Sequence, residues 1–191
     1  MISQVKRASK QIAETVARGL IHTGVSPTQL TLTGFGLNLV VAATLGAGLL
    51  PLGGVLVLVV GLFDTLDGAL ARVSERSTRF GAFLDSTLDR YSEAAILLGL
   101  LFDAGRRGDL AVGALAFVVA IGSLMVSYAR ARAEGLGLDC EVGFAPRPER
   151  VVVLGLGLIV GLELPALVLL AAITHITAVQ RIMHVYNLTR D

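Results

Sequence analysis

Apolar residues run along this chain in long blocks, separated by short polar or glycine-rich stretches. From Gly19 to Phe63 there is no Asp, Glu, Lys or Arg. A helix that crosses a bilayer takes roughly 20 residues, so this run holds two. Leu50-Pro51-Leu52-Gly53-Gly54 supplies the break between them, as Pro and Gly do in turns. The pattern predicts spans from about Leu30 to Leu50 and from about Leu52 to Arg72. A third runs from about Gly81 to Phe102, a fourth from about Leu110 to Arg130, a short fifth from about Arg147 to Leu162, and a sixth from about Pro165 to Tyr186. Backbone groups in lipid must pair within their own segment, which leaves helices for stretches of this kind. Ahead of them, Ile2, Val5, Ile12, Val16 and Leu20 share the chain with Lys6, Arg7, Lys10 and Arg18, the two faces of an interfacial helix. That segment shows neither the compact apolar stretch nor the cleavage pattern of a signal peptide. The expected fold is all-α: a polytopic membrane protein forming one domain over residues 1–191. It divides into a juxtamembrane amphipathic helix (1–20) and a six-helix transmembrane core (21–191).

Composition agrees. Hydrophobic residues make up 54% of the chain and charged residues 16%, against about 25% charged in a soluble domain. That deficit excludes disorder and argues against a water-soluble globule. Sixteen basic residues face fifteen acidic ones, so the basic surplus of a nucleic-acid binder is missing. The single cysteine, Cys140, cannot form an intrachain disulfide. The basic residues are unevenly placed. With six spans both termini share a side, and that side receives fourteen of the sixteen; the other receives Arg106 and Arg107. The positive-inside rule then predicts an integral, multi-pass protein of the cell membrane with both termini and the two long polar loops cytoplasmic.

The informative charges are acidic. Asp64 and Asp67 fall in the second span, Asp85 and Asp89 in the third. Each carboxylate at mid-membrane costs roughly 2.5–3.5 kcal/mol on insertion scales, so keeping four calls for a counter-charge. Asp64 and Asp67 are i, i+3 neighbours on one helix face, and Asp85 and Asp89 are i, i+4 neighbours on another. The short link makes the two helices antiparallel neighbours. Counting outward from its centre, between Arg76 and Ser77, sets Asp64 level with Asp89 and Asp67 level with Asp85. Four carboxylates meeting a short way below the cytoplasmic surface suit a hard divalent cation such as Mg²⁺, completed by water and phosphate. Gly68 and Gly81 leave room beside them, and Arg72, two turns beyond Asp64, has the planar fork that grips phosphate. The cluster also reads as an ion-pair network with Arg72 and Arg90, or as the ion path of a small cation transporter. A cation path has no use for an arginine beside its carboxylates; a diphosphate site does.

The spacing Asp64-x2-Asp67-Gly68-x2-Ala71-Arg72-x8-Gly81-x3-Asp85-x3-Asp89 resembles, without gap or substitution, the signature of the CDP-alcohol phosphotransferases. The resemblance implies a six-helix membrane enzyme of phospholipid biosynthesis, a homodimer, with its site facing the cytoplasm. It implies that Asp64, Asp67 and Asp85 hold divalent metal, Mg²⁺ or Mn²⁺. Asp89 would both touch metal and act as general base. The acceptor hydroxyl would attack the lipid-side phosphorus of a CDP-linked lipid, and CMP would leave. Nucleotide contacts carry over to Gly68, Ala71, Arg72 and Thr78, and to the segment Ser26-Pro27-Thr28-Gln29 with Thr31 nearby. Many members carry Asn where this chain has Thr28. Ser26-Pro27 also reads as a helix start, with Ser as cap and Pro in the first turn.

The signature does not name the acceptor, but the second half carries a clue. Tyr128-Ala129-Arg130-Ala131-Arg132-Ala133-Glu134, Arg147-Pro148-Glu149-Arg150-Val151 and Gln180-Arg181 resemble the branch that makes phosphatidylinositol phosphate, and its archaeal ether-lipid counterpart. In that branch the acceptor is inositol phosphate and basic residues bind its phosphate; the matching positions are Arg130, Arg147 and Arg181, with Arg150 as a fourth. Family members often carry Lys at Arg130 and Glu at Pro146. Arg130 and Arg132 point to nearly opposite helix faces, so at most one enters a pocket. Arg181, among Ile173, Ile176, Val179 and Ile182, needs a partner in so apolar a span. Other readings of these arginines are snorkelling to headgroups, or pairing with Glu134 or Glu149. Glycerol 3-phosphate is the alternative acceptor. Gly155-Leu156-Gly157 lies in an apolar span and reads as close helix packing, and His22, His175 and His184 lack metal-ligand spacing.

Overall fold

The computed structural model describes residues 25–73, 78–144 and 146–190, without the side chains of 65–69 and 71–73. The described chain is all-helical: α1 Pro27–Gly46, α2 Leu50–Val73, α3 Arg79–Arg107, α4 Leu110–Glu134, α5 Arg147–Ile159 and α6 Glu163–Thr189. Three of them, α1, α4 and α6, are long and apolar enough to cross a membrane. The expected amphipathic helix over residues 1–20 lies outside the described residues.

Helix ends follow local chemistry. Ser26 caps α1 through a reciprocal box, its hydroxyl accepting from Gln29 N while Gln29 Oε1 accepts from Ser26 N, with Pro27 in the first turn. Thr78 caps α3 by accepting from Gly81 N, and Asp109 caps α4 by accepting from Val112 N. Arg106 closes the far end of α1 by donating to Gly46 O at 2.8 Å. The break between the first two spans differs from expectation. It falls at Ala47–Leu49, with Gly48 at φ 85, and Leu50-Pro51 opens α2 instead of ending α1. Proline is tolerated there because first-turn N–H groups have no intrahelical partner. Gly53 and Gly54 then lie inside α2, where Gly54 lets the backbone of α5 approach: an added Cβ would sit 2.6 Å from Gly155 O.

Among the described residues each helix packs against two others, in the cyclic order α1–α2–α5–α6–α4–α3 and back to α1. The six helices form a ring. Its interior is one apolar cluster with contributions from every helix, among them Leu45, Val57, Leu100, Ala116, Leu158 and Leu170. The outer surface is apolar too: Val59, Leu62, Leu98 and Phe117 are all more than half exposed. So wide an apolar exterior suits lipid rather than water. One expectation is corrected. Among the described residues α2 and α3, though close in sequence, do not pack against each other; α1 packs against both. The α1–α3 contact is close because Gly99 carries no side chain: a Cβ there would fall 2.3 Å from Ala42 O.

Candidate active site

The carboxylates from α2 and α3 come together through a third helix. Arg147, the first residue of α5, donates through Nη2 to Asp64 Oδ2 at 3.1 Å and through Nη1 to Asp89 Oδ1. Both carboxylates are mostly buried, 13% and 23% exposed. The second oxygen of Asp89 faces Arg90 Nη1 at 3.5 Å. Asp64 lies nine residues before the end of α2 and Asp89 ten after the start of α3. At 1.5 Å per residue both sit roughly 15 Å inside the ring from that end.

Three residues that the sequence reading passed over complete the arrangement. Asn38, buried on α1, donates Nδ2 to Gly34 O at 2.9 Å and to Asp64 Oδ2 at 3.2 Å. Gly34 gives Asp64 its space: a Cβ there would fall 2.6 Å from Asp64 Oδ1. One turn deeper, Glu93 takes two bonds from Arg150, Nε to Oε1 at 3.0 Å and Nη2 to Oε2 at 3.1 Å. Asp85, Asp89 and Glu93 thus form an i, i+4, i+8 stripe on α3, and Arg147 and Arg150 answer the last two from α5. A small cavity of about 30 Å³ lies beneath, walled by Asn38, Asp64, Glu93, Arg147 and Arg150 above and by Val57, Ile96 and Leu154 below. That volume holds about one or two waters.

The remaining expected residues are distributed as follows. Asp67, Gly68, Ala71 and Arg72 lie on the last turns of α2, with side chains outside the described residues. Asp85 lies one turn before Asp89 on α3. Ser26, Gln29 and Thr78 serve as helix caps, and Pro27 sits in the first turn beside Ser26. Thr31 donates to Pro27 O. Thr28 Oγ1 lies 4.0 Å from where a Gly81 Cβ would be, so the first turns of α1 and α3 are side by side. Of the four arginines expected at the acceptor, Arg147 bonds two of the aspartates, Asp64 and Asp89. Arg150 is spent on Glu93, a partner other than the Glu134 or Glu149 weighed above. Arg130 pairs with Glu134 at 2.7 Å and Glu141 at 3.4 Å and is 44% exposed. Arg181 is buried and donates to the backbone carbonyls of Val142 and Val126; among the described residues no carboxylate pairs with it. His175 and His184 each contact a backbone carbonyl, of Val118 and Asp139.

The residues present fit a divalent cation as far as two carboxylates; among the described residues no third acidic, histidine or cysteine side chain joins them, and the side chain of Asp67 lies outside those residues. Asp64 and Asp89 approach closely enough to share one guanidinium, so carboxylates from two helices already converge on a single positive centre. The donors are all carboxylate oxygens, the hard ligands Mg²⁺ and Mn²⁺ favour.

Comparison with known proteins gives the same picture. The family model described as CDP-alcohol phosphatidyltransferase matches residues 25–189. The archaetidylinositol phosphate synthase of Methanothermobacter thermautotrophicus is 42% identical over 164 residues, 83% of this chain and 82% of its own. The phosphatidylinositol phosphate synthase of Mycobacterium tuberculosis, solved with CDP-DAG bound, superposes with a TM-score of 0.83 at 36% identity, covering 92% of this chain and 94% of that one. The same enzyme solved in complex with manganese and citrate superposes with a TM-score of 0.81 at 35% identity, over 91% and 88% of the two chains.

Proposed function

The chain belongs to the CDP-alcohol phosphatidyltransferase family and is a transferase. On that premise we propose that it transfers a phosphatidyl or archaetidyl group from a CDP-linked lipid to a hydroxyl of inositol phosphate, releasing CMP. The observation that carries this reading is the meeting of Asp64, Asp89 and Arg147. It sets the expected metal ligands and base beside the arginine expected at the acceptor's phosphate. The donor is supported by the structural neighbour solved with CDP-DAG, and the acceptor by the names of the most similar relatives. Family membership sets aside the cation-transporter reading.

In the reaction Asp89 takes the proton of the acceptor hydroxyl. The freed oxygen attacks the lipid-side phosphorus, and the bond from that phosphorus to the CMP oxygen breaks. A divalent ion, Mg²⁺ or Mn²⁺, held by Asp64, Asp67, Asp85 and Asp89 would neutralise the pyrophosphate oxygens and the departing CMP. Asn38 and Gly34 hold Asp64 in place, and Arg90 orients the second oxygen of Asp89. Ser26, Pro27, Thr28, Gln29, Thr31, Gly68, Ala71, Arg72 and Thr78 are assigned to the nucleotide and its diphosphate; the paired first turns of α1 and α3 support this, since helix N-termini favour anions. Arg147 is the first ligand of the acceptor's phosphate, with Arg130 and Arg181 as its companions and Arg150 as the prop that fixes α5. All six helices are read as spans. The end that holds the first turns of α1, α3 and α5 is cytoplasmic, because fourteen of the sixteen basic residues lie toward it. The enzyme is read as a homodimer from its family resemblance.

The test is CMP release by the purified chain from CDP-diacylglycerol and from its ether-lipid analogue, across a panel of acceptors with products read by mass. Asp89→Asn is expected to lower release by at least about 10²-fold, the contribution of a general base, while thermal melting stays cooperative. Full activity in that variant removes the base assignment, and a preference for glycerol 3-phosphate removes the acceptor.

A further inference from the structure

Arg147 is placed to serve two partners in turn. Its two terminal nitrogens donate to Asp64 Oδ2 and Asp89 Oδ1. Those are the carboxylates assigned above to the divalent ion, and a dication seated on them would repel the guanidinium that shares their oxygens. Its third nitrogen, Nε, is buried with no hydrogen-bond partner among the described residues, so within them the fork has an unspent donor. Arg147 also has room to turn. Its side chain is 25% exposed, whereas Arg150, three residues on, is 6% exposed and locked in two parallel bonds to Glu93. One arginine of the pair is fixed, and the other is held, among the described residues, by the site's own acids.

We propose that Arg147 is the resident counter-ion of Asp64 and Asp89, and that it turns to the acceptor's phosphate when a divalent ion takes those oxygens. Metal loading thereby opens the acceptor site. The inference rests on the functional reading above and adds to it an order of binding. Two consequences follow from linkage. Arg147 competes with metal for the aspartates, so the apparent metal affinity of the wild-type chain is reduced by the fraction of molecules in which Arg147 holds them. An acceptor phosphate that draws Arg147 away must tighten metal binding by the same factor as metal tightens acceptor binding.

The experiment is a Mn²⁺ titration of the purified full-length protein, with free ion read by electron paramagnetic resonance, without donor lipid. Arg147→Gln is expected to bind Mn²⁺ at least about fivefold more tightly than wild type, the low end of usual site-to-site coupling. Inositol 1-phosphate is expected to tighten Mn²⁺ binding to wild type by a comparable factor and to leave Arg147→Gln unchanged. Equal or weaker Mn²⁺ binding by a folded Arg147→Gln overturns the inference. If that variant does not fold, the wild-type titration decides: Mn²⁺ affinity indifferent to inositol 1-phosphate overturns it. Wild-type protein that binds no Mn²⁺ at all overturns the functional reading itself, a result separable from Mn²⁺ binding that is blind to Arg147.

Discussion

Gly34 and Asn38 show how a helix with no charge of its own builds part of the candidate site. Gly34 leaves the volume that Asp64 Oδ1 occupies, and Asn38 holds Oδ2 by the bond opposite Arg147. In Gly34→Ala the new methyl would lie 2.6 Å from the carboxylate oxygen, and a displacement near 1 Å in such a site costs up to about 10²-fold. CMP release is expected to fall at least about tenfold, while the melting temperature stays within a few degrees because the change touches one side chain. The aspartates themselves were legible in sequence, since their spacing is a pattern of residue types. Asn38 carried a signal as well, a lone amide in a charge-free apolar run, where a polar group in lipid implies a partner. Glu93 carried one as the next i+4 position after Asp85 and Asp89. The arginine partners were not legible, because which guanidinium meets which acid depends on the helix that lies opposite.

At the level of elements, α5 is the helix that makes the site specific. It offers Arg147 and Arg150 on one face to Asp89 and Glu93 on α3, although the two helices do not pack directly. The Arg150–Glu93 bridge is the inner rung. Arg150→Ala leaves Glu93 without its two-point partner, and breaking a buried pair from one side costs about 3–5 kcal/mol. The double replacement Arg150→Met with Glu93→Leu removes both charges and is expected to recover most of that loss in thermal melts. Helix existence was readable from the apolar blocks, and five of the six helices begin within two residues of expectation while α1 begins at Pro27 as the Ser26-Pro27 cap indicates. The exact turn between α1 and α2 was not, because Leu50-Pro51-Leu52-Gly53-Gly54 satisfies both a loop and a first turn. The left-handed Gly48 decides in favour of the latter.

The whole molecule divides into two groups of three. α1 stands between α2 and α3, α6 stands between α4 and α5, and the groups meet along α2–α5 and α3–α4. The acid-and-arginine site lies at this seam, which is why no single stretch of sequence contains it. The short link between α2 and α3 fixed where their ends meet but not what lies between them along their length. Orientation is testable at this scale. A cysteine at Arg190 is expected to react with a membrane-impermeant maleimide from the cytoplasmic face, and one at Leu110 from the opposite face. The native Cys140, fully buried, stays silent. The reverse pattern, or labelling of both from one face, would contradict the proposed topology. Finally, α5 has 13 residues, about 20 Å of helix, against a hydrocarbon layer of about 30 Å. Its first residue, Arg147, nonetheless lies beside Asp64 and Asp89, and the connector before it is tied into the protein. Cys140 is buried there, and the carbonyls of Asp139 and Val142 are taken by His184 and Arg181. That connector is a tether of set length, unlike the turns at the far end. Grafted between related proteins, it and α5 would have to travel as one cassette to keep Arg147 beside Asp64 and Asp89.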